Sequence, residues 1–180
     1  MDLNKFTERA KGFVQNAQSL AIRENHQRLL PEHLLKALIV EDQRLAANLV
    51  INSKGNVNEI SLFLTTLLEK QVKVTGNVQP FADPLFLKVL DEAQTLAQKS
   101  GDQFVATERL LTALAMVKSG AKEALLSAGM TAQKINKSID VMQKGRTANS
   151  ASAEDNYQAL EKYAQDLTDA ASEGKIDPII

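Results

Sequence analysis

His26 and His33 are the two histidines of this 180-residue chain, and their spacing of seven makes a metal site the first chemistry to test. Structural zinc usually takes four nitrogen or sulfur ligands, no cysteine accompanies the pair, and His26 falls in a predicted loop. The pair therefore reads as solvent-facing or capping histidines, and no metal site is expected. Asp102 and Glu108 could form an acid–base couple, but nothing else catalytic converges on them, so a hydrogen-bonding or substrate-contact role fits better. The stretches Ser53-Lys54-Gly55 and Ser119-Gly120-Ala121-Lys122 lack the second glycine and the lysine–hydroxyl pair of a phosphate loop. The residues point to no catalytic group and to no nucleotide bound by this segment. Binding is the activity they leave.

The elements that position these residues come in two copies. Residues 17–38, AQSLAIRENHQRLLPEHLLKAL, return as 93–114, AQTLAQKSGDQFVATERLLTAL, at a constant offset of 76. Leu20 and Leu96, Ala21 and Ala97, Glu32 and Glu108, Leu34 and Leu110, Leu35 and Leu111, and Leu38 and Leu114 are identical mates. Most are apolar and three or four apart, as two copies of one packed helical unit require. Leu49 aligns with Leu125, and Gly55 with Gly129 after a two-residue gap, each glycine expected to close one helix and open the next.

Hydrophobic residues make up 44% of the chain, enough for a core, while aromatics are 4% and tryptophan is absent. With Ala, Leu, Lys, Gln and Glu dominant, this predicts an all-α fold: two tandem pseudo-twofold four-helix repeats in one globular domain. The first repeat spans about 3–74, with helices near Leu3–Glu24, from Pro31, near Gln43–Ile51 and near Val57–Val72. Thr75–Ala82 is the connector. Asp83 as N-cap and Pro84 in the first turn open a second repeat, about 83–144, with helices near Leu85–Ser100, Thr107–Val117, Ala121–Ser127 and Thr131–Gln143. Thr107 and Thr131 are candidate caps.

After Gln143 the sequence KGRTANSASAED is small and polar, which predicts a flexible linker over 145–156. Helical periodicity returns through Leu160, Tyr163, Ala164 and Leu167 in a segment 157–180 that ends on Asp-Pro-Ile-Ile, the mark expected of a piece cut from a longer protein. The net charge is −1 and basic residues are interspersed with acidic ones, so nucleic acid is not an expected partner, and with no apolar run near the roughly 18 to 20 residues of a span, neither is a membrane. The first 13 residues lack the apolar core of a signal peptide, and the absence of cysteine fits a reducing compartment, so the expected location is cytoplasmic.

Apolar stripes at helical spacing are first of all core. Phe13, Phe86, Leu90 and Phe104 stand out because their repeat mates are smaller or polar: Phe104 aligns with Arg28, Leu90 with Val14 and Phe13 with Val89. An asymmetric apolar patch at the junction of two like units would suit binding of an exposed apolar peptide.

The doubled unit, with its ARENHQRLLPEHLLKAL and GDQFVATERLLTAL segments, resembles the Clp N-terminal domain of the Clp/Hsp100 AAA+ chaperones. The stretch LEKYAQDLTDAASEGKIDPII, Leu160–Ile180, resembles the entry to their first nucleotide-binding domain in its ClpB-like form. The resemblance covers essentially the whole chain. It implies the mobile amino-terminal domain of a hexameric, ATP- and Mg-dependent, stress-response disaggregase with a coiled-coil middle domain, working beside a DnaK-type system on unfolded or aggregated clients. The fragment itself would be monomeric and would hold no cofactor. The resemblance also implies a client-binding surface that includes Thr7, Asp102 and Glu108. For Thr7 a helix-surface role, and for Glu108 a first-turn acid favoured by the helix dipole, are the structural alternatives. An adaptor-docking domain of a ClpA- or ClpC-like unfoldase is the alternative function, and a spacer that caps the pore is a third.

Overall fold

The computed structural model describes residues 2–41, 48–50, 54–76, 78–143 and 151. Its elements in chain order are α1 Glu8–Arg23, β1 Arg28–Leu29, α2 Pro31–Lys36 continued by a π-helical turn Ala37–Glu41, α3 Val57–Glu69, β2 Phe81–Ala82, α4 Pro84–Lys99, α5 Thr107–Met116, α6 Gly120–Ser127 and α7 Ala132–Gln143. The architecture is all-α, with the duplicated order expected from the repeat. The third helix expected near Gln43–Ile51 falls mostly outside the described residues, as do the linker, Ala151 excepted, and the segment 157–180.

Local chemistry sets the helix ends. Thr7 is the N-cap of α1, its Oγ1 accepting the Ala10 N–H at 3.1 Å, so the helix starts at Glu8 and not near Leu3. Its repeat mate Asp83 caps α4 in the same way through the Leu85 N–H at 2.9 Å, with Pro84 next. Asn56 caps α3, and Thr131 caps the start of α7 through the Lys134 N–H. Thr107 does not cap α5: Ala106 is the N-cap residue there, with no side-chain bond to give.

The exits of α1, α4 and α6 share one geometry. Asn25, Gly101 and Gly129 adopt positive φ, and the next residue's N–H returns to the helix: His26 to Ala21, Asp102 to Ala97 and Met130 to Leu125, at 2.8–2.9 Å. Gly55 departs from the glycine alignment, since Lys54 takes the positive φ while Gly55 N–H reaches the Val50 carbonyl. Gly55 serves packing instead: a Cβ there would fall against Met130 Sδ and Val50 Cγ1.

The stretch expected to be only a connector contains β2, which pairs in parallel with β1, Arg28 opposite Phe81 and Leu29 opposite Ala82. A second parallel bridge joins Phe6 to Val105. Adding 76 to Leu29 gives Val105, and subtracting 76 from Ala82 gives Phe6, so the two pairings are one contact repeated by the pseudo-twofold. Each repeat lends the residues before its first helix to the other repeat's turn before the second helix. The closing bonds match too: Thr7 N–H to the Val105 carbonyl and Asp83 N–H to the Leu29 carbonyl, both 3.0 Å.

One hydrophobic core crosses both repeats, from Phe6, Ala10, Phe13 and Val14 through Leu34, Leu35 and Leu38 to Phe86, Leu110, Leu111 and Ile135. Helices α4 and α5 pack closely, as do α1 and α2, and α3 packs on α6 across the repeats. Glu32 of α2 joins in: the N–H groups of Gly120 and Ala121 at the start of α6 face its carboxylate, though burial, the larger influence, raises its pKa. A Cβ at Gly120 would fall against the Glu32 carboxylate and Leu67 Cδ1, so any larger residue there has to displace both side chains.

Candidate functional site

The two strand pairings make two related junctions, and the candidate residues divide between one of them and the core. At the first junction, the N-cap of α1 meets the turn between α4 and α5. Thr7 is buried and bound to Val105, Asp102 opens the turn, half-buried Phe104 precedes Val105, and Glu108 lies in the first turn of α5. Four expected site residues, Thr7, Asp102, Phe104 and Glu108, are thus brought within one stretch of backbone pairing. The other three are not. Phe13, Phe86 and Leu90 are at most 6% exposed and belong to the core, so they present almost no surface to a ligand. Their asymmetry between the repeats is an asymmetry of packing: Ala10 and Phe13 on α1 become Phe86 and Val89 on α4, with large and small residues exchanged.

Three of the four junction residues are themselves buried. Arg109 Nε donates to Asp102 Oδ2 at 3.1 Å, with the Asp102 side chain 0% and the Arg109 side chain 7% exposed. Glu108 is 0% exposed, a buried first-turn acid of α5 and the mate of buried Glu32. What the junction offers outward is exposed Gln103, part of the Phe104 side chain and the first turn of α1. Glu8 N–H, an orphan donor of that first turn, is bonded at 2.8 Å to the main-chain carbonyl of Ala151. A chain carbonyl therefore docks at this edge.

The second junction is built alike and charged differently. There Arg28, the mate of Phe104, donates through Nη1 to Asp83, the mate of Thr7, at 3.1 Å. An ion pair closes this junction, where an aromatic ring and a hydroxyl occupy the matching positions of the first. Near it are exposed apolar side chains that the size of the repeat mates did not single out: Phe81 (52% exposed), Leu85 and Leu87. Their mates are Lys5, Arg9 and Lys11, so the same repeat comparison carried the signal, three cations against three apolar side chains. A difference in size between mates marks packing, whereas an exchange of cation for apolar side chain, as at these three positions, marks surface.

The histidines are buried and not solvent-facing. His33 does cap, its Nδ1 accepting the Leu30 N–H at 3.0 Å, as a glutamate does in a capping box. Among the described residues no group of three His, Asp or Glu side chains could hold a metal ion, and no helix is long and apolar enough to cross a membrane.

Thr7→Ala is expected to cost about 1 kcal/mol, the usual loss of an N-cap hydroxyl, read as a lower urea midpoint with Thr7→Ser restoring it. A loss near zero would mean that the Val105 bond alone sets the start of α1.

Residues 5–129 match the Clp repeat (R) N-terminal domain family. The chain is 50% identical over 182 residues to "Chaperone protein ClpB" of Mesorhizobium japonicum and, again at 50%, to that of Brucella suis; the alignments cover all of this chain and 21% of those proteins. The chain thus spans about a fifth of the length of the curated relatives it matches. In fold it is similar to the Hsp104 N-terminal domain from Candida albicans, with TM-score 0.73 and 23% identity over 83% of this chain and 99% of that one. It is also similar in fold to a ClpV N-domain solved in complex with a VipB peptide, with TM-score 0.61 and 18% identity over 83% and 96%.

Proposed function

Because the chain belongs to the Clp repeat N-terminal domain family of chaperones, we propose that it is the client-capturing module of a ClpB-like disaggregase, binding extended polypeptide at the Thr7–Val105 junction. The observation that carries this reading is the bond from Glu8 N–H to the Ala151 carbonyl, one residue along from the Thr7 N–H that pairs with Val105. An edge that receives one main-chain carbonyl can receive another, and extended chains are recognised through their backbone with a side-chain pocket for selectivity. ATP and Mg, hexamer formation and cooperation with a DnaK-type system belong to the rest of the proposed protein, not to this segment.

Binding to a single copy should be weak, micromolar or poorer, because a small edge offers few buried anchors. Six copies in one assembly would add avidity. The test is an amide NMR titration of the 180-residue chain with casein as unfolded client. Shifts should cluster on Thr7, Glu8, Asp102, Phe104 and Glu108, and Phe104→Ala should weaken binding about tenfold, while Arg28→Ala at the other junction leaves it unchanged. Shifts confined to Phe81, Leu85 and Leu87 would move the site to the second junction. No shifts with casein, but stoichiometric binding of one folded adaptor, would replace client capture with adaptor docking.

A further inference from the structure

His26 and His33 occupy the repeat positions of Asp102 and Arg109, and the two pairs bridge the same helix-to-helix turn by different chemistry. In the second repeat a guanidinium donates to a carboxylate at 3.1 Å. In the first, His26 Nδ1 and His33 Nε2 lie 2.8 Å apart, with the rings 5.0 Å between centroids. The protons can be assigned from the backbone outward. Leu30 N–H donates to His33 Nδ1, so that nitrogen carries no proton; His33 Nε2–H then donates to His26 Nδ1, and His26 keeps its proton on Nε2. Both rings are neutral, and every shared nitrogen is committed.

We propose that the hydrogen-bond chain Leu30–His33–His26 is an acid-labile latch of the first repeat, which one added proton breaks while the Asp102–Arg109 pair holds the matching turn of the second repeat. A proton on His26 Nδ1 meets the His33 Nε2–H, and a proton on His33 Nδ1 meets the Leu30 N–H. Either way one bond of the chain Leu30, His33, His26 is lost, and a positive charge is left in a site where His33 is 0% and His26 2% exposed.

The latch ties several segments together. His26 forms an antiparallel bridge to Lys73, Gln27 N–H reaches the Val72 carbonyl and Val74 N–H the Asn25 carbonyl. Phe81 N–H reaches Gln27, and Asp83 N–H reaches Leu29. Opening the α1–α2 turn would thus release the residues after α3 and the β1–β2 pairing together. The surrounding charges are mixed. Glu24 at the end of α1 favours a protonated His26, whereas Lys73 from the segment after α3 and Lys36 from α2 oppose it, and Lys36 also faces His33. Burial outweighs them, lowering both imidazoles, His33 to about 3. Since the folded values lie below the ordinary 6.5, the stabilisation is complete above that pH and is lost progressively as pH falls through the window down to about 3. The second pair offers no imidazole to titrate.

The experiment is amide hydrogen exchange of the 180-residue chain at pH 7.5 and 5.0, corrected for intrinsic rates. Protection of Gln27, Val74, Phe81 and Asp83 should fall by about thirtyfold for setting His33 free and further for His26, while Thr7 and Val105 keep theirs. Transplanting the second repeat's pair, His26→Asp with His33→Arg, should remove the pH response. Equal loss at both junctions, no loss at either, or an unchanged response in the transplant would overturn the latch. Ring nitrogen spectra of the unaltered chain give a second reading that does not require the transplant to fold. An unprotonated His33 Nδ1 at pH 5.0 in the protected turn is expected, and an imidazolium there with protection intact would overturn it.

Discussion

Asp102→Ala is expected to destabilise the fold by about 3–5 kcal/mol, because it strands the Arg109 guanidinium in a site where its side chain is 7% exposed. The size comes from the uncompensated charge and not from the worth of the pair, so replacing both partners with apolar residues, Asp102→Leu with Arg109→Met, should recover most of it. Urea unfolding of the two variants measures the difference. A single-variant loss under about 1 kcal/mol would mean that the pair behaves as an exposed ion pair. The consequence reaches into function. Lost client binding in Asp102→Ala would report a loosened turn between α4 and α5 as readily as a lost contact, whereas Phe104→Ala removes a half-buried ring and tests the contact itself.

Phe86→Ala is the other large effect, also about 3–5 kcal/mol, because it empties the space of a fully buried ring in the shared core. Its mate Ala10 is equally buried, and the exchange of large and small residues between α1 and α4 means that the two sites are not equivalent. Ala10→Phe should therefore destabilise by overpacking, and the double variant Ala10→Phe with Phe86→Ala should not restore stability. Urea midpoints decide this. A double variant as stable as the starting chain would show that the core is indifferent to which repeat carries the ring. Client binding measured on Phe86→Ala under conditions where it remains folded should be unchanged, since the side chain offers no surface.

Much of this molecule was legible before any coordinates. The 76-residue repeat, the all-α class, the Asp83–Pro84 start of α4, the end of α6 and the Thr131 start of α7 follow from spacing and capping chemistry acting within a turn or two of chain. Such interactions are local, so the residues that decide them are neighbours in sequence. The family likewise follows from the doubled segments, because a repeat that keeps its apolar face and its turn residues keeps its fold.

What only the tertiary structure decided depends on partners some 50 to 100 residues apart, or on the path of a turn between two helices. The reciprocal pairing of Leu29 with Ala82 and Phe6 with Val105 involves strands of at most two residues, too short to carry a period. Thr7, Asp102 and Glu108 came from resemblance, and their burial could not be read from the chain, since a capping hydroxyl or a first-turn acid is as acceptable in water as beneath a neighbouring turn. The exposure of Phe81, Leu85 and Leu87, against the burial of Phe13, Phe86 and Leu90, depends on where the other repeat lies. The His26–His33 bond is the sharpest case. Seven residues of spacing are compatible with a metal site, a cap or open solvent, and only the fold of the turn turned two imidazoles toward each other, with the Leu30 N–H to set their protons.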